Sequence, residues 1–439
     1  MKKLSILLTF FVTLIVIVLL FYISHFRKEK PKMNEYLITS ANYICQDIYV
    51  VQNMVRESNG KMWHLAYSDD FGFYLGGACM AYSTNEGQTW ILDESFPSAK
   101  DIPDAQPGYL SHSAVTIDQN DVLHLIETIY MISDDSEIYY TKREDGSWST
   151  PIKISTDSGY DLSWNGVSIC VESDGDVHAV WDMEDYPSHD MHIMYNHMED
   201  GVWQGEEKLV EDGEEVIMRC DSDDNVHMIY TMGEIYYKKK TSGVWGDPVQ
   251  ITSLTGQLEA RDIFVDDAGI IHLLYEKFAD KTYYAYFDGT WHVNEAIADG
   301  AVIAFTGLLG NANDMVVVYQ SGLDVVYRKR LGVDSWSDEI VLEANTNARA
   351  VAGGIFSYVP VVAGVHTNLP ATGICYTKYV QATTPDTIYF MTTSDFFMSS
   401  ERPIVFYDTT RTQEGEEQPI TFSDRADTNP ELPIVFYER

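Results

Sequence analysis

The sequence is organised by a repeated set of apolar stretches that ends in tryptophan. In the clearest copy, residues 262–275 (DIFVDDAGIIHLLY) read as two strands around a tight turn, and residues 282–291 (TYYAYFDGTW) read as a third. The apolar residues are β-branched or aromatic and the runs are short, which is typical of strands. The final tryptophans of six copies are spaced 42–58 residues apart: Trp90, Trp148, Trp203, Trp245, Trp291 and Trp336. A seventh, degenerate copy spans 356–379.

A repeat of this length in which every copy is all-strand predicts the blades of a β-propeller, because each unit needs its neighbours to cover its faces. We therefore predict an all-β fold of about seven four-stranded blades, with six as the alternative. The propeller is assigned to residues 33–397, after an N-terminal segment (1–32) and before a C-terminal tail (398–439). The strand-like segment 35–42 is expected to close the seventh blade by pairing with a strand from the other end.

Residues 1–32 have the pattern of a membrane-inserting segment. Lys2 and Lys3 precede an apolar run from Leu4 to Ile23, about the length needed to cross a bilayer as a helix, and no small-residue cleavage pattern follows. This predicts an uncleaved signal anchor, with secretion after signal cleavage as the alternative. The body of the protein is then expected at the cell envelope or the extracellular surface.

The formal net charge of −38 excludes nucleic acid as a partner, because binding its backbone requires clustered Lys and Arg. The five cysteines show no C-x-x-C spacing, so neither a zinc site nor a full disulfide framework is indicated. Cys170 and Cys220 occupy comparable first-strand positions. We interpret them as small apolar core residues, although one pair could be oxidised.

The connections that lead into the first strand of each blade are where a ligand site is expected. Glu127 stands where other blades carry an aromatic residue, and a carboxylate at such a position must be paired or functional. The candidate ligand-binding residues are His112, Glu127, Tyr160, Asp161, Trp164, Asn165, Arg261 and Arg349. The repeated His64, His124, His178, His227 and His272 are interpreted as structural residues that hydrogen-bond across blades.

An insertion at residues 181–192 is the best metal candidate, through Asp185, His189, Asp190 and His192. The Asp-rich turns lack the full spacing of a calcium loop, and Asp, Asn and Gly are also what tight turns demand. No cofactor is therefore assigned with certainty, and calcium is the cation considered.

Residues 83–90 (STNEGQTW) match the Asp-box pattern, with Asn85 in the aspartate position and with Ser83, Gly87, Thr89 and Trp90 at the expected offsets. Together with the blade repeats, this motif resembles the sialidase-like, BNR-repeat propeller superfamily over roughly residues 36–397. The resemblance implies a propeller in which the Asp-box is a structural turn. The early Arg-Ile-Pro motif of sialidases is absent, so no sialidase catalytic residue is assigned here.

The expected function is binding of an extracellular ligand, with a glycan favoured, because related propellers include lectins and polysaccharide lyases as well as scaffolds. A glycoside hydrolase or polysaccharide lyase is the enzyme alternative. A third alternative is a structural subunit that uses the tail, where the strand-like repeats PIVFYD, PITFSD and PIVFYE fall between residues 403 and 438. Such strands could pair with one another, with a protein partner or with a second copy.

Overall fold

The computed structural model describes the sheet-forming parts of the chain. The described residues are 34–39, 44–45, 54–68, 77–85, 89–97, 101–105, 112–131, 136–156, 166–185, 188–266, 268–277, 280–299, 306–308, 315–321, 324–343, 372–378, 387–393, 407–408, 420–422 and 434–438. Within these ranges, no helix has the length and apolar character needed to cross a membrane. The predicted signal anchor at 1–32 lies outside them.

The described chain begins with β1 (Asn34–Thr39) and continues through six consecutive antiparallel sheets. Sheet 1 contains β2 (Ile44–Cys45), β3 (Met54–Arg56), β4 (Met62–Ser68), β5 (Gly77–Ser83) and β6 (Ile91–Leu92). Sheet 2 contains β7 (Ser113–Ile117), β8 (Leu123–Tyr130), β9 (Ser136–Glu144), β10 (Ser147–Trp148) and β11 (Ile152–Lys153). Sheet 3 contains β12 (Val167–Val171), β13 (Val177–Asp185), β14 (Asp190–Glu199), β15 (Val202–Trp203) and β16 (Glu207–Glu211).

The next three sheets repeat this order. Sheet 4 contains β17 (Glu214–Cys220), β18 (Val226–Met232), β19 (Glu234–Thr241), β20 (Val244–Trp245) and β21 (Val249–Gln250). Sheet 5 contains β22 (Leu258–Val265), β23 (Ile271–Lys277), β24 (Lys281–Phe287) and β25 (Trp291–Asp299). Sheet 6 contains β26 (Thr306–Leu308), β27 (Val316–Ser321), β28 (Asp324–Gly332), β29 (Ser335–Trp336) and β30 (Ile340–Glu343).

A terminal sheet pairs the first described strand with two strands that follow sheet 6 in the chain. In that sheet β31 (Thr372–Lys378) pairs with β32 (Thr387–Thr393), and β32 pairs antiparallel with β1. The predicted pairing of the N-terminal segment with a strand from the other end is therefore confirmed for residues 35–39. Sheet 1 lies against this terminal sheet through β2 and β32.

The tail repeats pair with one another. The strand β35 (Ile434–Glu438) lies parallel to β33 (Tyr407–Asp408) and antiparallel to β34 (Ile420–Phe422). Of the pairings left open by the sequence, the structure thus contains the one within the tail.

The hydrophobic core is distributed between consecutive sheets. The first strands lie side by side in the order β3, β7, β12, β17, β22 and β26. The larger apolar clusters combine residues of two successive sheets, as where Ile126 and Ile138 of sheet 2 pack with Ile169 and Trp181 of sheet 3. Equivalent clusters join sheets 1 and 2, 3 and 4, 4 and 5, and 5 and 6. The repeats therefore sit side by side, as the sequence predicted.

A tyrosine–tryptophan contact links each sheet from 2 to 5 with the next. The ring of Tyr195 on β14 meets Trp245 of sheet 4 at 5.4 Å between centroids, and edge-on at 87°. The same contact recurs at 5.1–5.4 Å in the pairs Tyr140–Trp203, Tyr237–Trp291 and Tyr284–Trp336. Edge-to-face aromatic pairs stabilise by about 0.5–1.5 kcal/mol beyond the burial of their surface. The repeated tryptophan is thus the residue through which each sheet contacts the one before it.

The same tyrosines are held by the repeated histidines. Nδ1 of His178 lies 2.6 Å from the Tyr195 hydroxyl, and Nε2 lies 2.7 Å from Glu172 in the preceding turn. His124, His227 and His272 make the equivalent contact with Tyr140, Tyr237 and Tyr284. Each bond joins neighbouring strands of one sheet, so the interpretation that these histidines bond across blades is wrong for these four. They position the tyrosine that makes the contact between sheets. Neither ring nitrogen of His64 has a hydrogen-bond partner among the described residues.

The first strands of sheets 3 and 4 are joined by a disulfide between Cys170 and Cys220, with a Cα–Cα distance of 5.5 Å. Of the two states left open by the sequence, the structure contains the oxidised pair, and Cys170 also packs in the apolar core as expected. The sequence pattern placed both on first strands but did not show that those strands lie side by side. Closing a loop of 50 residues stabilises by about 4 kcal/mol in the chain-entropy account.

The Asp-box segment forms a turn with a structural role, as the resemblance implied. Asn85 occupies the aspartate position, and its Oδ1 accepts hydrogen bonds from the Ser83 hydroxyl at 3.0 Å and from the Thr89 backbone N–H at 2.9 Å. Its amide nitrogen donates to the Thr89 hydroxyl at 2.9 Å. The Asn85 side chain thus stabilises the turn by hydrogen bonds to residues on both sides of it.

Substituting Tyr195→Phe tests the linkage between sheets. The hydroxyl of Tyr195 contacts His178 Nδ1 and accepts a hydrogen bond from Lys240 Nζ at 2.8 Å, so its loss removes one hydrogen bond from each of these two buried atoms. We expect a loss of about 1–3 kcal/mol of unfolding free energy in denaturant titration. Tyr236→Phe is the matched control, because Tyr236 stacks on Tyr230 and is half-buried on the adjacent sheet. Equal losses for the two variants would contradict the assignment.

Candidate functional site

Several buried acidic residues lie along one edge of the sheets. In each antiparallel pair, the start of the first strand lies opposite the end of the second, as where Ser113 faces Glu127 and Glu259 faces Glu276. We call this the N-terminal edge. Because β12, β17 and β22 lie side by side, this edge of sheets 3 to 5 brings together a carboxyl cluster, which consists of Asp182, Glu214, Glu215, Glu259 and Glu276.

Arg261 lies at the centre of the carboxyl cluster. A register shift in β22 between Ala260 and Asp262 places this residue outside the regular pairing with β23. Its Nη2 donates a hydrogen bond to Glu276 Oε1 at 2.7 Å and a second one to Glu259. Burial by itself would lower the pKa of Arg261, but the hydrogen bond and charge of Glu276, with the charge of Glu259, raise it. The guanidinium is therefore a fixed positive charge paired with both glutamates.

Glu215 is the carboxyl with the least ordinary backbone. Its φ of 55° lies in the left-handed region, which non-glycine residues occupy at a cost of about 1–3 kcal/mol. Oε2 of Glu215 accepts a hydrogen bond from the Thr231 hydroxyl at 2.9 Å. The hydroxyl oxygen of Thr231 in turn accepts a hydrogen bond from the Ala260 backbone N–H at 3.2 Å. Burial and the negative charge of Glu259 raise the pKa of Glu215 to about 8. This carboxyl therefore holds a proton at neutral pH.

Asp182 is fully buried beside Glu215. Its Oδ2 accepts a long hydrogen bond of 3.4 Å from the Glu215 backbone N–H. Among the described residues, its Oδ1 has no hydrogen-bond partner. Burial raises the pKa of Asp182 to about 7, although the charge of His112 opposes the shift. His112, at the start of sheet 2, thus lies close enough to act on this carboxyl.

The arrangement combines proton donors with fixed charge. Asp182 and Glu215 carry protons near neutrality, whereas Glu259 and Glu276 are paired with Arg261. Glu214 and Glu215 are only half-buried, so the cluster reaches the surface. Such a site can accept hydrogen bonds from hydroxyl groups and can donate a proton to a bound molecule.

Three of the candidate ligand-binding residues lie on the N-terminal edge. Arg261 is bonded within the carboxyl cluster, and His112 acts on Asp182. Glu127 is buried on sheet 2, and its Oε1 accepts a hydrogen bond from Ala78 N of sheet 1 at 3.2 Å. The remaining five lie outside the described residues: Tyr160, Asp161, Trp164, Asn165 and Arg349.

The sequence did not predict a site at Glu214, Glu215, Glu259 and Glu276, and it indicated Asp182 only as one of the polar residues of the insertion at 181–192. The signal that could have found two of them is positional. Asp182 and Glu276 each follow the repeated histidine by four residues, in the second half of the second strand of their sheets. The other three, Glu214, Glu215 and Glu259, lie at the beginning of a first strand.

The four metal candidates occupy the hairpin between β13 and β14. His192 Nε2 lies 2.8 Å from Asp185 Oδ2, whereas His189 pairs with Glu184, and Asp190 faces Asp185 across the hairpin. Within the described ranges, the acidic side chains close enough to share one ion are instead Glu172, Asp174 and Asp176 in the turn after β12. Metal binding at residues 185–192 stays a prediction.

No family model matches the sequence, and no curated protein matches it. Solved structures are similar in fold. An ulvan lyase reported as a new family of polysaccharide lyase is 10% identical with a TM-score of 0.56, and the match covers 82% of this chain and 96% of that one. The Hadza microbial sialidase Hz136 is 13% identical with a TM-score of 0.43, covering 66% and 65% of the two chains. A fucose-specific lectin from Aleuria aurantia is 13% identical with a TM-score of 0.42, covering 71% and 98%.

These neighbours include sialidases as well as a polysaccharide lyase. Of the three likenesses reported, the one to the ulvan lyase has a TM-score above 0.5, and it shows a shared fold of the kind that the resemblance implied. At such low identities the likeness concerns the fold alone.

The raised pKa of Glu215 predicts a dependence of stability on pH. A carboxyl whose pKa rises from 4.5 to about 8 on folding contributes stability that is present below pH 4.5 and is lost as the pH rises through 8. Denaturant midpoints of the native protein should therefore fall between pH 5 and 9. Glu215→Gln should flatten this fall, whereas Glu211→Gln, an exposed control on β16, should leave it unchanged. A fall as steep in Glu215→Gln as in the native protein would contradict the assignment.

Proposed function

We propose that this protein is a glycan-binding β-propeller of about seven blades, and that it binds its glycan at the N-terminal edge through His112, Glu127 and the carboxyl cluster. The observation that carries the proposal is the convergence of five carboxyls and one guanidinium at an edge that reaches the surface. Carboxylates are strong acceptors for sugar hydroxyls, and charged hydrogen bonds stabilise more than neutral ones. The likeness in fold to a polysaccharide lyase, also solved with a GlcA and Rha3S oligosaccharide, supports the proposal.

The charge of the site favours a neutral or amino-substituted glycan. One arginine stands among five carboxyls, and the whole chain carries a formal net charge of −38. An anionic chain of uronates or sulfates would be repelled on approach and inside the cluster. Arg261, the cation best suited to hold such a group, is already bonded to two glutamates.

A glycan array probed with the full-length protein tests this function, in buffer with calcium and in buffer without it. We expect neutral or amino glycans to bind in preference to anionic ones. Glu214→Gln, which removes a half-buried carboxyl not bonded to Arg261, should weaken binding about tenfold, the equivalent of one charged hydrogen bond. Glu211→Gln serves as the control on an outer strand. Preference for sulfated or uronic glycans, or unchanged binding by Glu214→Gln, would count against the proposal.

We propose further that the protein is held at the cell envelope, facing outward, by residues 1–32. The Cys170–Cys220 disulfide supports this location, because disulfides persist in oxidising compartments. The tail strands β33 to β35 are proposed as a surface for association with a second copy, because β34 has one edge unpaired among the described strands.

Cell fractionation with chemical crosslinking tests both assignments in one experiment. Full-length protein should sediment with membranes and crosslink to itself, and a chain ending at residue 397, which retains β32, should sediment but crosslink less. Release of both proteins into the soluble fraction would contradict the anchor. Equal crosslinking of the two chains would remove the role of the tail.

A further inference from the structure

We propose that the glycan bound at the carboxyl cluster carries a protonated amino group, and that Asp182, Glu214 and Glu215 hold this ammonium group. The inference rests on the proposed function and deepens it, because it replaces the choice between neutral and amino-substituted glycans with one chemical class. It is carried by the position of these three acids and by a buried oxygen atom of Asp182 that the described chain does not use.

The unused oxygen is Oδ1 of Asp182. The Asp182 side chain is 0% exposed, and this atom has no hydrogen-bond partner among the described residues. The other carboxyl oxygen, Oδ2, accepts the long hydrogen bond of 3.4 Å from the Glu215 backbone N–H. Buried polar atoms are normally satisfied, so an unused acceptor on a fully buried acid points to a donor outside the described chain. An ammonium group donates three hydrogen bonds and accepts none, which suits a site made of acceptors.

The charge around Asp182 also favours a cationic ligand. The charge of His112 stabilises the ionised form of Asp182, whereas the negative charge of Glu214 destabilises it. Arg261, the guanidinium of the cluster, is already paired with two glutamates. A buried carboxylate costs free energy unless an opposite charge pairs with it. An ammonium group at this position would supply the positive charge that Arg261 shares among other acids.

The ammonium group can reach the site from the surface. Glu214 and Glu215 are half-buried at the start of β17, and Asp182 lies against the Glu215 backbone and is closed off from solvent. The Thr231 hydroxyl fixes the Glu215 carboxyl by donating to Oε2 at 2.9 Å. A ligand that approaches from solvent therefore meets the two glutamates first, and Asp182 adds its charge from the buried side.

An N-acetyl group should be a poor substitute for the amine. The amide formed by acetylation is uncharged and donates one hydrogen bond, whereas the ammonium group is positively charged and donates three. Opposite charges attract more strongly in a partly buried site than in water, and an amide lacks this attraction to a carboxylate. The site should therefore discriminate between an amino sugar and the same sugar after N-acetylation.

Binding of the ammonium group should release protons from the acids. Burial raises the pKa of Asp182 to about 7, and burial with the charge of Glu259 raises that of Glu215 to about 8. A positive charge beside these acids lowers both pKa values, so protons leave at pH 6, where the unbound acids are protonated. The other titratable and charged groups that face the two acids are His112 before β7, Glu214 on β17, Glu259 and Arg261 on β22, and Glu276 on β23.

The test uses the full-length protein and ligands that differ in acetylation. Oligomers of glucosamine and of N-acetylglucosamine, equal in length, are titrated at pH 6 by isothermal calorimetry in two buffers of different ionisation enthalpy. We expect the glucosamine oligomer to bind about 10–100 times more tightly, the equivalent of one hydrogen bond to a charged group, and to release protons. A glycan array, probed untreated and after N-acetylation with acetic anhydride, extends the comparison to other amino sugars. Trilysine is the amine that carries no sugar.

Asp182→Asn and Glu215→Gln remove the ability to ionise but keep the shape of the protonated acids, so the fold should be retained. Each variant should bind the glucosamine oligomer about tenfold more weakly and release fewer protons, with unchanged affinity for the N-acetyl oligomer. Asp223→Asn is the matched control, because Asp223 is exposed in the turn between β17 and β18, at the opposite edge of sheet 4. Circular dichroism and the denaturant midpoint show whether each variant is folded.

The outcomes separate this inference from the proposed function. Equal binding of glycans before and after N-acetylation, or binding of neutral glycans alone, would overturn the inference and leave glycan binding intact. Absence of binding to every glycan would overturn both, as would tighter binding of trilysine than of any amino glycan. Amine-selective binding that folded Asp182→Asn and Glu215→Gln leave unchanged, in affinity and in proton release, would remove these acids as the ammonium site.

Discussion

The structure depends on one repeated contact, the edge-to-face packing of a tryptophan from one sheet on a tyrosine of the sheet before it. The tyrosine is fixed by a histidine of its own sheet, which is bonded in turn to an acid of the preceding turn, as in the set Glu172, His178, Tyr195 and Trp245. A single sheet would leave one apolar face in water. The contact therefore contributes its own free energy, and it also holds each sheet against the apolar face of the next sheet along the chain.

The carboxyl cluster is a consequence of that order. Asp182, Glu215 and Glu276 belong to three different sheets, and only the side-by-side arrangement of β12, β17 and β22 brings them together. Burying several acids in one place costs free energy, and the structure offsets part of this cost with Arg261 and part by leaving Glu215 and Asp182 protonated. The disulfide between Cys170 on β12 and Cys220 on β17 fixes the spacing of sheets 3 and 4, which carry part of the carboxyl cluster.

The features that the sequence predicted best are those with a repeating pattern or a local motif. The six tryptophan-ended repeats, the structural turn at Ser83 to Trp90 and the pairing of the two chain ends were all predicted from pattern alone. It failed where partners had to be assigned between strands. The histidines were expected to bond across sheets and instead bond within them, and Cys170 was not paired with Cys220. Both errors have one cause, since a repeat shows which positions are equivalent but not which of them meet.

The sequence by itself determined the repeating strand unit, the acidic character of the chain and the N-terminal edge as the place to search, where it named His112, Glu127 and Arg261. Local alternation and turn residues fix these features, because they act over a few residues. Only the tertiary structure decided that five scattered carboxyls share a site with Arg261. Their protonation depends on burial and on charges supplied by other sheets, and those distances exist only when the sheets are packed.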